Sequence, residues 1–139
     1  MGYLIEPNTK GIVTAKVTLT SANLLTPGYI IVIPNFIATP NYFWNTLSVV
    51  GEIITDIGSA VYTGTSDIHL QCTNGTAPLY RFGGTYMQNI RGTFAPAVIS
   101  QANNIKYSVN DTLEIHNPGT LLNGTTGLNI YVTAILIKY

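Results

Sequence analysis

The C-terminal stretch, residues 104–139, constrains the fold more than any other part of the sequence. Apolar and polar residues alternate over residues 105–109 and again over residues 113–116, which predicts two half-buried strands. A third strand is predicted over residues 128–139, and its residues 134–137 are apolar on both faces. A strand with two apolar faces lies either in the centre of a sheet or against another subunit.

Shorter runs with the same alternation precede this stretch and are separated by Gly, Pro and Asn turn signals. They predict an all-β fold, a single-domain antiparallel β-sandwich that is jelly-roll-like and has very little helix. We expect residues 1–11 to form an N-terminal arm or lead-in and residues 12–139 to form the sandwich. The earlier predicted strands cover residues 12–20, 29–33, 46–50, 52–57, 60–63, 67–73, 78–82 and 97–100.

Local signals make some of these predictions more specific. The continuous apolar run 29–33 predicts a fully buried strand. Residues 21–25 predict one helical turn with Ser21 as its cap, and Asn74-Gly75 predicts a hairpin. Residues 35–45 and 83–95 are predicted loops, because they combine Pro or Gly with no regular alternation.

Charge is scarce in this chain. Only 9% of the residues are charged, against about 25% in ordinary domains, and the six basic and six acidic residues cancel. Thr and Asn are frequent instead, with nineteen and thirteen residues. The scattered basic residues indicate no nucleic-acid partner, and no apolar run is long enough to span a bilayer. Such a neutral surface suits close packing against copies of itself.

Candidate catalytic chemistry is sparse. The single cysteine, Cys72, alternates with apolar residues and is predicted to be a small buried hydrophobe. No nucleophile elbow or comparable motif accompanies His69 or His116, so we assign no catalytic residue and predict that the chain is not an enzyme.

Two pairs of potential metal ligands share strand faces. Asp67 and His69 are two residues apart on one predicted strand, and Glu114 and His116 are two apart on another. If these strands paired, four ligands could converge. Solvated strand faces explain the same alternation, and this is the interpretation we favour. We therefore predict no metal site and no cofactor.

The most unusual local feature is the aromatic triplet Tyr42, Phe43 and Trp44 in the predicted loop 35–45. Three adjacent aromatic side chains can cap one end of the core, join subunits or stack on a sugar ring. All three interpretations remain open from the sequence. We treat the triplet as a candidate interface or ligand loop.

Strands and turns follow one another in a particular order over residues 17–20, 21–25, 29–34, 62–64, 67–70, 110–115 and 124–133. This order resembles the small β-sandwich structural proteins of tailed bacteriophages, which occur as head decoration, head-fibre or tail-associated modules. This resemblance implies a virion component that is often oligomeric and has no enzymatic activity. It identifies no binding residue.

Together these observations predict a structural protein of a bacteriophage virion, made in the host cytoplasm. It would act by self-association, with a trimer favoured, and by packing on a capsid or tail partner. A carbohydrate-binding module that uses the aromatic triplet on a surface glycan is the alternative. A metal-dependent enzyme that uses His69 and His116 is the third and least favoured hypothesis.

Overall fold

The computed structural model describes residues 9–54, 60–63, 67–74, 78–83, 92–94, 97–98, 111–119 and 121–138. These residues form two antiparallel sheets and one short helix, which confirms the predicted all-β sandwich. The elements in chain order are β1 Thr9–Leu19, α1 Ser21–Leu24, β2 Tyr29–Val32, β3 Tyr42–Ile54, β4 Ile68–Cys72, β5 Pro78–Phe82, β6 Gly92–Phe94, β7 Ala97–Val98, β8 Leu113–Asn117 and β9 Gly127–Lys138.

Among the described residues, sheet A contains four strands in the order β1-β9-β3-β6, and sheet B contains five in the order β2-β8-β4-β5-β7. The C-terminal strand β9 pairs with β1 along one edge and with β3 along the other. Strand β9 therefore lies in the centre of its sheet, the first of the two predicted alternatives, while Ile135 and Ile137 on its outer face are half-buried. Both long partners of β9 come from the first half of the chain, so sheet A joins segments that are far apart in the sequence.

The core lies between the sheets and follows from the period-two alternation of each strand. On β9, Leu128, Ile130, Val132 and Ala134 are all 0% exposed. The inward residues of β4 and β5 pack against them from sheet B. One buried hydrogen bond, 2.7 Å between Thr46 Oγ1 on β3 and the Tyr80 hydroxyl on β5, joins the two layers.

The connection from β1 to β2 is held by polar side chains. Thr20 caps α1: its hydroxyl accepts from the Asn23 backbone N–H at 3.3 Å, while the Thr20 N–H donates to Asn23 Oδ1 at 2.9 Å. At the other end, Asn117 Nδ2 donates to the carbonyls of Leu24 and Thr26 at 2.9 and 3.1 Å and lies 3.4 Å from that of Asn23. The predicted cap, Ser21, is therefore wrong by one residue; it is the first residue of the helix.

The middle of the chain departs most from the sequence predictions. Strand β3 runs without a break through Gly51, which was predicted to divide two strands, because Gly51 pairs with Ile130 on one side and Phe94 on the other. The predicted loop 35–45 is wrong at its end, since β3 begins at Tyr42. The predicted loop 83–95 is wrong over β6. Instead of a strand, residues 60–63 contain one isolated bridge, between Thr63 and Leu122.

Other predictions hold. Strand β5 has the predicted bounds, and β4 buries Cys72, as predicted, together with the apolar residues Ile68 and Leu70 that alternate with it. Strands β4 and β5 form the predicted antiparallel hairpin. Strand β1, by contrast, begins at Thr9 and not at the predicted residue 12, so its first three residues lie in the segment predicted to be an arm. The predicted strand 105–109, and residues 1–8, lie outside the described residues.

Strand β2 was predicted to be fully buried, and this is wrong. It lies at the edge of sheet B, paired with β8. Ile31 packs against the core, whereas Ile30 and Val32 are 50% and 51% exposed. The continuous apolar run 29–33 therefore corresponds to an edge strand whose outer face is apolar and exposed to solvent.

Candidate assembly surface

One end of the outer face of sheet A is apolar. Ile12 on β1 lies opposite Ile135 on β9, and Ile137 lies opposite Phe43 on β3. Ile12 is 64% exposed, and the other three side chains are half-buried. We call these four residues the apolar end of sheet A. Its side chains stand on three adjacent strands, so they form a patch on a rigid sheet.

A β-bulge interrupts β3 beside this patch. Thr46 pairs with Ala134 and Ser48 with Thr133, which leaves Leu47 as the inserted residue. Leu47 is 51% exposed and adds another accessible aliphatic side chain to the strand that carries Phe43.

The opposite end of the same face is polar and internally bonded. The Tyr131 hydroxyl donates to Glu52 Oε2 at 2.6 Å, and Asn129 Nδ2 approaches the same oxygen at 3.4 Å. The Tyr131 hydrogen bond, followed by the one from Asn129, lowers the pKa of Glu52. Lys16 Nζ stands 5.7 Å from the centroid of the Tyr131 ring, and Thr18 donates to Asn129 Oδ1 at 2.7 Å. These polar groups satisfy one another, whereas the apolar end has surface to bury.

The aromatic triplet is divided between the two faces of β3. Trp44 is 3% exposed and packs edge-to-face on Phe36 with ring centroids 4.9 Å apart. Tyr42 also packs against the core, while Phe43 belongs to the apolar end. The indole face is thus not accessible for stacking on a sugar ring. Strand alternation explains the division, since neighbouring residues point to opposite faces.

The apolar end of sheet A was not predicted from the sequence, although the exposure of one of its residues could have been. The alternation that places Val13 inward also places Ile12 outward, so an exposed Ile12 could have been inferred. The juxtaposition with Phe43 could not, because it depends on β9 pairing with both β1 and β3.

Sheet B carries three of the four side chains considered as metal ligands, and the fourth, Asp67, directly precedes β4. Strands β4 and β8 do pair, with His69 directly opposite His116. The carboxylates have other partners: Asp67 forms an ion pair with Arg81 at 3.2 Å, and Glu114 Oε1 accepts from Gln71 Nε2 at 2.7 Å. Within the described ranges no group of three or more His, Cys, Asp or Glu side chains is placed to hold a metal ion.

Cys72 is buried at 0% exposure, where the sequence predicted it. Burial, followed by the nearby Asp111 and Glu114 charges, raises the pKa of its thiol to about 12. The thiol is protonated at neutral pH and fills space in the core. None of the helices in the described part of the chain has the length and hydropathy needed to cross a membrane.

Two solved structures share this fold. A chain from the capsid of Ralstonia phage GP4 matches with a TM-score of 0.55 and 12% identity, over 100% of this chain and 91% of that chain. A chain from the Cyanophage Pam1 capsid asymmetric unit matches with a TM-score of 0.50 and 12% identity, over 97% and 89%. No protein-family model and no curated protein matches the sequence. At this identity the likeness concerns the fold, and at that level it agrees with the predicted resemblance to phage β-sandwich proteins.

Proposed function

We propose that this chain is a non-enzymatic structural component of a bacteriophage virion. The observation that carries the proposal is the fold shared along the whole chain with chains of two phage capsids. The sparse, balanced charge and the wealth of Thr and Asn agree with a surface that packs densely among neighbours.

The proposed mechanism is burial of the apolar end of sheet A between subunits. An Ile side chain moved from solvent to a buried site contributes about 1.5–3 kcal/mol. Ile12, which is 64% exposed, could supply much of one such contribution, and the half-buried Ile135 and Ile137 a smaller part each, toward an association that must offset the lost freedom of the subunits. A closed ring buries the same patch on every copy, and we propose a homotrimer that packs on a capsid or tail neighbour.

A matched pair of variants tests this mechanism. Ile135→Lys introduces a charge at the apolar end, and Thr14→Lys introduces the same charge on the same face outside it. We expect Ile135→Lys to weaken association more than about tenfold, which corresponds to 1.4 kcal/mol, and Thr14→Lys to leave it nearly unchanged. Sedimentation velocity measures both. Equal effects of the two variants would contradict an interface at the apolar end.

The virion assignment has its own test. Mass spectrometry of purified particles of the phage that encodes the chain should find it at a copy number comparable to that of a capsid component. Its absence from intact particles would contradict the assignment, whatever the oligomeric state of the isolated protein.

A further inference from the structure

The outer face of sheet B holds a cross-strand pair of imidazoles. His69 on β4 and His116 on β8 are directly opposite each other, and both strands have a partner on each side within sheet B. Their ring centroids are 6.3 Å apart with planes at 76°, and both rings are half-buried. Two imidazoles are thus held next to each other on a rigid support and remain reachable from solvent.

The spacing suits shared coordination of one ion. Zn–N bonds measure about 2.0–2.1 Å, which brings the centroids of two imidazoles on one tetrahedral ion to roughly 5 Å. The rings of His69 and His116 need to approach by about 1 Å. Side-chain rotation supplies this, because directly opposed residues of an antiparallel pair have Cβ atoms about 4.5–5.5 Å apart.

The surroundings of His69 favour its neutral ring without crowding it. Burial lowers the pKa of His69 and the Arg81 cation lowers it further, while Asp67 acts in the opposite sense. Arg81 lies opposite His69 on β5, and its ion pair with Asp67 offsets its charge. On the other side, Ile30 of β2 lies opposite His116 and carries no charge. Neutral imidazole is the form that binds metal ions.

We propose that His69 and His116 form a two-imidazole site for a borderline divalent transition-metal ion, Cu²⁺, Ni²⁺ or Zn²⁺, with water in the remaining positions. Imidazole nitrogen suits these ions, whereas Mg²⁺ and Ca²⁺ require oxygen ligands. The Asp67 and Glu114 carboxylates stay with Arg81 and Gln71, which accounts for a site with two protein ligands rather than four. This proposal replaces the sequence prediction of no metal site, and the site is independent of the proposed virion role.

Calorimetric titration of the full chain with Ni²⁺ and Zn²⁺, beside Mg²⁺ as a hard-ion control, tests the proposal. We expect one Ni²⁺ or Zn²⁺ per chain and no Mg²⁺. His69→Gln and His116→Gln should each weaken Ni²⁺ binding more than about tenfold, and the double variant gives the background from other groups.

Electron paramagnetic resonance of the Cu²⁺ complex provides a readout that does not depend on affinity. The wild type should show two coordinated imidazole nitrogens and each single variant one. Wild-type Ni²⁺ binding equal to that of the double variant, or an unchanged nitrogen count in His116→Gln protein that unfolds at the wild-type urea midpoint, would overturn the proposal.

Discussion

The Asn117 side chain allows a sharp test of how the sandwich is held together. Asn117 is 1% exposed, and its Nδ2 donates to the carbonyls of Leu24 and Thr26 at 2.9 and 3.1 Å. Asn117→Asp keeps the shape but replaces the donor with an acceptor that faces these carbonyl oxygens. Two lost hydrogen bonds cost about 1–3 kcal/mol, and the repulsion between the new carboxylate and the carbonyls adds to this.

Proton uptake limits the total. A carboxyl group with an ordinary pKa of about 3.9 can be protonated at pH 7 for about 4 kcal/mol, and the protonated group can donate one hydrogen bond. We therefore expect Asn117→Asp to lower the free energy of unfolding by about 3–4 kcal/mol at pH 7. Since the new carboxyl pKa is raised in the folded state, the deficit should shrink as the pH falls toward 4.

Urea unfolding followed by the fluorescence of Trp44, the single buried tryptophan, measures this difference. Asn123→Asp is the matched control, because Asn123 is exposed and its φ of 62° is one that Asp also adopts. A loss below about 1 kcal/mol at Asn117, or a deficit that does not change with pH, would refute the reasoning.

Three further predictions concern other parts of the sandwich. Gly124→Ala should cost about 1–3 kcal/mol in urea unfolding, because a Cβ at Gly124 would stand 2.3 Å from ring atoms of the buried Tyr62. The Cys72 thiol, whose pKa burial raises to about 12, should react with a thiol reagent at pH 8 only as fast as the protein opens. Because its hydrogen bond to Tyr131 lowers the folded-state pKa of Glu52, this carboxylate should stabilise the fold above its unfolded pKa. That stabilisation should be lost as the pH falls through the folded pKa, so the difference in stability between wild type and Glu52→Gln should narrow in acid.

For each of these three predictions a specific result would contradict the reasoning. Leu122→Ala, at an exposed neighbouring position, should change stability little, and an equal loss there would argue against a clash at Gly124. Rapid labelling of Cys72 in folded protein would show that the thiol is accessible. For Glu52, a difference from Glu52→Gln that stays constant down to the acid transition would contradict a lowered pKa.

Period-two alternation was sufficient to predict some of the local elements. It located β4 and β9, and for β4 also the inward side, because an alternating strand can bury only one face without loss. It failed where pairing with distant strands outweighs local preference. Gly51 was predicted to end a strand, but it lies inside β3 because neighbouring strands pair with it on both sides. Likewise, three adjacent aromatics before Asn45 read as a loop, although aromatic residues are also frequent in strands.

The candidate surfaces depended on strand order, which alternation does not encode. The apolar end forms only because β9 lies between β1 and β3. This brings together residues that are far apart in the sequence: Ile12 and Ile135 are separated by more than a hundred positions. The His69–His116 pair requires the register of β4 on β8. From the sequence we could identify both histidines and state that they would be adjacent if their strands paired. The sequence could not show that the Asp67 and Glu114 carboxylates would instead contact Arg81 and Gln71.

The central claim, that neighbouring subunits bury the apolar end of sheet A, is tested most directly by the mass of the wild-type protein in solution. Multi-angle light scattering across a range of concentrations should give a multiple of the 15.0 kDa protomer mass, with three copies as the expected value. A mass that stays at one protomer at the highest concentration reached would contradict self-association through this face.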